Sequence, residues 1–156
     1  MKKLTSFITL VALAMSLETM AQDKLYQDEF PLGDIVLLDG PLKHARDLNI
    51  ANLLKYDCDR MLAPYRKEAG LAPRKPTYPN WDGLDGHVGG HYLSALAINA
   101  ATGSEECKKR MEYMIGELQL CLDANNRRGE DWSRNYVGGF PNSAKLWSTF
   151  RKGDFS

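Results

Sequence analysis

Apolar residues recur at three- and four-residue spacing through most of the chain, the period of helices that bury one face. This spacing predicts a first amphipathic helix over about residues 43–62, on Leu48, Ala51, Leu54, Cys58, Met61 and Leu62. Further helices are predicted up to Thr102-Gly103, over about residues 104–124, and from Asn142 or Ser143 onward. Helices joined by turns and loops in this order indicate an all-α fold of helical hairpins.

The helix predicted over residues 104–124 has two unlike faces. Its apolar face carries Cys107, Met111, Met114, Leu118 and Cys121. The charged face, which is expected to meet water, carries Glu105, Lys108, Lys109, Glu112 and Glu117. Thr102 and Glu105 have the spacing of a capping box, Ser104 is an alternative cap, and Asn125-Asn126 is expected to end the helix.

Two loops rich in glycine and aromatic residues separate these helices. Residues 69–86 form the first loop and residues 127–142 form the second. Connections of this length within a compact domain are often functional. The hairpin arrangement predicts that both loops lie at one end of the helices.

The N-terminal part of the chain differs from the helical part. Residues 1–21 combine two early lysines, an apolar run over 7–17 and small residues before position 22, the pattern of a cleavable secretion signal. The run is shorter than the roughly 20 residues that a membrane span needs, and a buried N-terminal helix is the alternative. Residues 22–42 are expected to form an arm with a short strand or extended segment over 35–38. We therefore expect a secreted or periplasmic protein.

The charge balance argues against two classes of partner. Twenty Lys and Arg residues balance twenty Asp and Glu residues. Nothing in this balance favours binding to nucleic acid or to an anionic membrane. A neutral ligand is therefore expected.

The three cysteines, Cys58, Cys107 and Cys121, lack the spacing of metal or redox sites. On one helix, Cys107 and Cys121 would lie about 21 Å apart, whereas a disulfide needs Cα atoms within about 7 Å. All three fall on apolar faces. They are predicted to be core residues rather than ligands.

The stretch NWDGLDGHVGGHYLSALAINAATG, residues 80–103, places polar residues at the start of the second long helix. His87 and His91 share one helix face, which is compatible with zinc, although a third ligand and the Glu of an HExxH motif are missing. A structural interpretation has Asp85 capping the helix and both histidines simply hydrogen-bonded. In the third interpretation, Trp81 is a flat platform for a sugar ring while Asp85, His87 and His91 contact its hydroxyl groups.

Small residues recur along one side of the same helix. They are Gly86, Gly90, Ser94, Ala97 and Ala101. Interior glycines cost a helix about 0.5–1 kcal/mol each relative to alanine. The stripe therefore predicts close approach of another helix and a helix enclosed by its neighbours.

The second loop carries Trp132, Tyr136 and Phe140 among charged residues, with Gly138-Gly139 beside them. One interpretation is that these aromatic residues anchor the loop to the core, which we expect of at least one. The other is that the two loops together form a pocket.

These motifs resemble a known family. The stretch at 80–103, preceded by LNIANLLKYDCDRMLAPYRKEAGL and followed by YVGGFPNSAKLWSTFRKGDF, is similar to the N-terminal part of bacterial β-L-arabinofuranosidases of glycoside hydrolase family 127 and the related family 146. The resemblance runs from about residue 29 to the C-terminus. It implies an N-terminal fragment of an (α/α)6 barrel over residues 43–156 and removal of terminal β-L-arabinofuranose from plant oligosaccharides or polysaccharides.

The resemblance also implies which parts of the site to expect. The residues that match the sugar pocket are Trp81, Asp85, His87, His91, Tyr136 and Gly138. The family uses a cysteine thiolate and a glutamate at a zinc ion held by several cysteines, and none of these catalytic or metal residues matches a position here. We expect the front part of a larger enzyme, inactive alone. A small secreted carbohydrate-binding or interaction module is the alternative.

Overall fold

The computed structural model describes residues 30–79 and 85–155. The predicted signal over residues 1–21 and the first part of the arm lie outside the described residues. The chain divides into two units, residues 1–31 and 32–156, and the fold below is that of the second. Every regular element within the described ranges is helical, which confirms the all-α prediction. No described helix has the length and apolar character needed to cross a membrane.

Five α-helices follow a 3-10 turn at Leu32–Asp34. They are α1 (Pro41–Leu53), α2 (Cys58–Glu68), α3 (His87–Ala101), α4 (Glu105–Arg128) and α5 (Ser143–Arg151). Of the two alternatives for residues 35–38, the short strand was wrong, because this segment has no regular secondary structure. The turn expected after it is present at residues 39–40.

The prediction of a single helix over residues 43–62 was also wrong. The segment forms α1 and α2, which are separated by a short break ending at Asp57. The Asp57 backbone is extended (φ −95, ψ 118), and its carboxylate accepts the N–H groups of Asp59 and Arg60 as an N-cap. The apolar spacing continues through the break, so periodicity alone did not reveal it.

The N-cap of α4 is the predicted alternative, Ser104, rather than Thr102 of the capping box, and the helix ends later than predicted. Ser104 accepts the Cys107 N–H, whereas Thr102 ends α3 and donates its hydroxyl to the Asn99 carbonyl. The helix continues past Asn125 to Arg128, and Gly129 ends it in the left-handed conformation (φ 74). Asn125 is buried and donates to the Tyr136 carbonyl. Asn125 therefore holds the second loop against α4 and does not end the helix.

The core lies where α2, α3 and α4 pack together. Its central side chains are Met61, Leu62, Tyr92, Leu96, Cys107 and Met114. Cys107, Met114 and Cys121 of the predicted apolar face are buried, which confirms the face. Glu117 was expected to meet water, but it is only 6% exposed. Its carboxylate pairs with Arg66 at 2.6 Å and Arg74 at 2.8 Å, and these two cations make its burial possible.

The small-residue stripe of α3 is not enclosed. Gly90, Ser94 and Ala101 are exposed, while the buried face carries Gly89, Tyr92, Leu96 and Asn99. An ideal Cβ on Gly89 would lie 2.9 Å from the Tyr65 ring. The close approach that the glycines indicated is real, but it involves Gly89 and α2.

Candidate functional site

The two glycine-rich loops meet at Gly86 and Gly139. An ideal Cβ on Gly86 would lie 2.7 Å from the Gly139 Cα, so only the bare backbones fit. The hydroxyl of Tyr65 donates to the Gly86 carbonyl and holds this point against α2. The prediction that both loops lie at one end of the helices is therefore confirmed.

The predicted histidine pair lies on the surface at the start of α3. His87 and His91 are both exposed, and their Nε2 atoms are 3.1 Å apart. Their rings are nearly perpendicular, at 89°, with centroids 4.4 Å apart. Either Nε2 can donate to the other, depending on which nitrogen of each ring carries the hydrogen. Trp81, their predicted companion, lies outside the described residues.

Asp85 lines a small cavity next to the contact between the loops. This cavity has a volume of about 110 Å³, and Lys67, Glu68 and Thr77 also line it. Gly86, with φ 84, occupies the N-cap position of α3, and no side chain caps the helix. The structural interpretation of Asp85 as a helix cap was therefore wrong.

Tyr136 and Gly138 are packed against each other in the second loop. A Cβ on Gly138 would overlap the Tyr136 hydroxyl. That hydroxyl is 2.8 Å from the Ser143 Oγ at the start of α5. Trp132 is only 6% exposed and confirms that at least one aromatic residue anchors this loop to the core.

Tyr136 also lines a larger cavity of about 410 Å³, which we call the aromatic cavity. Its aromatic lining is Trp132, Tyr136, Trp147 and Phe150, and Arg134 and Arg151 also line it. Sequence reasoning missed the contribution of α5. The signal was the three-residue spacing of Trp147 and Phe150, which is also the spacing of any helix that packs on a core.

The structure does not bring the predicted site residues into one cavity. Asp85 lines the small cavity, Tyr136 lines the aromatic cavity, and the exposed histidine pair belongs to neither lining. The two loops do form a pocket together, but it is the small cavity, to which the first loop contributes Asp85 and the second contributes Gly139.

The three cysteines all lie within the described residues. Cys107 and Cys121 are buried, Cys58 is half-buried, and all three are free thiols. Burial raises the pKa of the Cys58 thiol and of the Cys121 thiol, which disfavours the thiolate that binds metal. No three His, Cys, Asp or Glu side chains in the described segments are grouped to hold a metal ion. These residues do not fit the zinc site that the resemblance implies.

Helical hairpins with glycine-rich loops gathered at one end suit a helical glycoside hydrolase domain. The family model described as β-L-arabinofuranosidase, GH127 catalytic domain, matches residues 34–154. The chain therefore belongs to the GH127 glycoside hydrolase family. A comparison with curated proteins found no match.

Proposed function

We propose that this chain forms part of the sugar-binding surface of a secreted enzyme that removes terminal β-L-arabinofuranose from plant glycans. The observation that carries the proposal is the family match over residues 34–154. The signal pattern in residues 1–21 supports secretion. The absence of net charge suits a neutral sugar.

In this proposal the His87–His91 pair contacts the sugar hydroxyl groups. The pair offers one N–H donor and one free lone pair at exposed positions. A sugar hydroxyl also donates and accepts, so it can take over the hydrogen bond between the two rings without leaving either nitrogen unpaired. Asp85 supplies further acceptor oxygens, and Trp81 supplies an apolar face for the C–H side of the ring.

In this proposal the chain does not by itself hydrolyse glycosides. Its three thiols are buried or half-buried, and burial raises the pKa of two of them. The reactive thiolate and its zinc ion would be supplied by sequence outside these 156 residues. The residues described above would then bind and orient the sugar.

Turnover is tested with an aryl β-L-arabinofuranoside. The chain lacking residues 1–21 is expected to release no L-arabinose above the buffer rate, while an active enzyme of the family serves as the positive control. Sustained release that scales with protein concentration would contradict the proposal of an inactive chain.

Sugar binding is tested separately through the histidine side chains. Methyl β-L-arabinofuranoside is expected to shift the imidazole NMR signals of His87 and His91, because these rings change hydrogen-bond partner. His44, which is exposed on α1, is the internal control and is expected not to respond. His87→Ala and His91→Ala should each weaken binding, whereas His44→Ala should not. Equal effects of all three substitutions would refute the assignment.

A further inference from the structure

The aromatic cavity has a chemical character that the proposed removal of a neutral sugar does not use. Arg134 and Arg151 line it, and no Asp or Glu among the described residues does. Neither guanidinium forms an ion pair with another residue in the described parts of the chain. The whole chain has no net charge. The two positive charges are therefore a local property of this cavity.

Most of the remaining lining of the cavity is aromatic. The Trp147 ring meets Tyr136 and Phe150 edge to face, at centroid distances of 5.9 and 5.7 Å. Such rings offer flat apolar area to the C–H face of a sugar ring. A volume of about 410 Å³ falls within the range of about 300–1,000 Å³ that is usual for ligand pockets.

Trp147 also has an unused hydrogen-bond donor. Its indole Nε1–H is buried and has no acceptor among residues 30–79 and 85–155. A buried donor without a partner is unfavourable and uncommon.

We propose that the aromatic cavity binds a carboxylated sugar unit of the glycan, separately from the His87–His91 pair. The sugar carboxylate pairs with Arg134 and Arg151, since guanidinium groups match carboxylates in geometry and charge. The ring lies on the Trp147 side of the cavity, with its C–H face against the aromatic side chains. This inference rests on the proposed function only in that the ligand is a glycan.

The experiment compares two disaccharides that differ in charge. The full chain, labelled with ¹⁵N, is titrated with digalacturonic acid and with the neutral galactose disaccharide of the same linkage. The acidic probe is expected to shift the Trp147 indole N–H signal and to bind at least about tenfold more tightly, because hydrogen bonds between charged groups are stronger than those between neutral groups. This preference should shrink as salt is added.

Substitutions identify the residues that cause the preference. Arg134→Gln and Arg151→Gln are each expected to reduce the preference for the acidic probe, and the Lys variants should retain part of it. Arg127→Gln, an exposed arginine of α4 outside the cavity lining, is the matched control and should behave as the parent chain. Should the Gln variants fail to fold, the salt series on the parent chain still decides the question.

Equal affinity for the two disaccharides, or a response that never saturates, would overturn the inference. Failure of the proposed function gives a different result: methyl β-L-arabinofuranoside would leave the His87 and His91 signals unchanged while the acidic probe still moves Trp147. The two failures are therefore distinguishable.

Discussion

Gly86 and Gly139 touch through their backbones, and no side chain fits between them. Gly86 precedes α3, and Gly139 lies in the loop before α5. These loops carry Asp85, Tyr136 and Gly138. The distance between the two loops therefore depends on two residues that have no side chain.

Gly139→Ala is therefore expected to destabilise the chain. The added Cβ would lie 2.8 Å from the Gly86 Cα and 2.8 Å from the Pro64 Cβ, so backbone has to move. Overpacking of this kind costs about 1–3 kcal/mol, which urea unfolding will measure. Gly116→Ala is the control, since its Cβ meets nothing within 4 Å and helix propensity predicts a gain of about 0.5–1 kcal/mol. Equal stabilities of the two variants would argue against the contact.

Glu117→Ala is expected to be among the most destabilising single changes in the core. It leaves Arg66, whose side chain is 13% exposed, without its partner. Removing one member of a buried pair costs about 3–5 kcal/mol, measurable by chemical denaturation. Glu112→Ala is the matched control on the exposed side of α4 and should change stability by no more than about 0.5 kcal/mol. A small loss of unfolding free energy in Glu117→Ala would show that water already solvates the carboxylate in the folded chain.

Asp57→Ala is expected to destabilise α2 by about 1 kcal/mol, because it removes the N-cap. Asp57→Asn keeps a capping oxygen and should lose less. The Lys75 hydrogen bond lowers the pKa of Asp57 below its ordinary value of 3.8.

The pH dependence of this contribution follows from the direction of that shift. Because the folded pKa lies below the unfolded one, the stabilisation is present above pH 3.8 and is lost as the pH falls through the folded pKa. Unfolding free energies measured at several acidic pH values should therefore show a smaller acid loss in Asp57→Asn. Identical acid profiles would disprove the role of Lys75.

The three thiols are expected to react slowly in the folded chain. Cys107 and Cys121 are 0% and 1% exposed, and burial raises the pKa of Cys58, so little accessible thiolate is available to attack an alkylating reagent. Mass spectrometry after iodoacetamide treatment should find most chains unmodified under native conditions and all three cysteines alkylated in guanidinium chloride. Rapid native alkylation of one cysteine would mark it as reactive and weaken the proposal of an inactive chain.

Much of the candidate site was visible in the sequence because its signals are local. Glycines beside Asp85 and Tyr136 marked irregular loops, and the four-residue spacing of His87 and His91 put both rings on one face of a helix. Which cavity each side chain lines was not visible, because that depends on how loops distant in sequence pack. Arg134 and Arg151 come together only when the second loop lies beside α5.

The sequence by itself determined the helical class, the end of α3 and the apolar face of α4, because each depends on signals only a few residues apart. Tertiary structure alone decided that Glu117 is buried, since Arg74, whose guanidinium pairs with it, lies 43 residues away. It also decided that Gly89, rather than the predicted small-residue stripe, is the point of close approach to α2. Periodicity specifies which residues share a face, and packing between distant segments decides what that face meets.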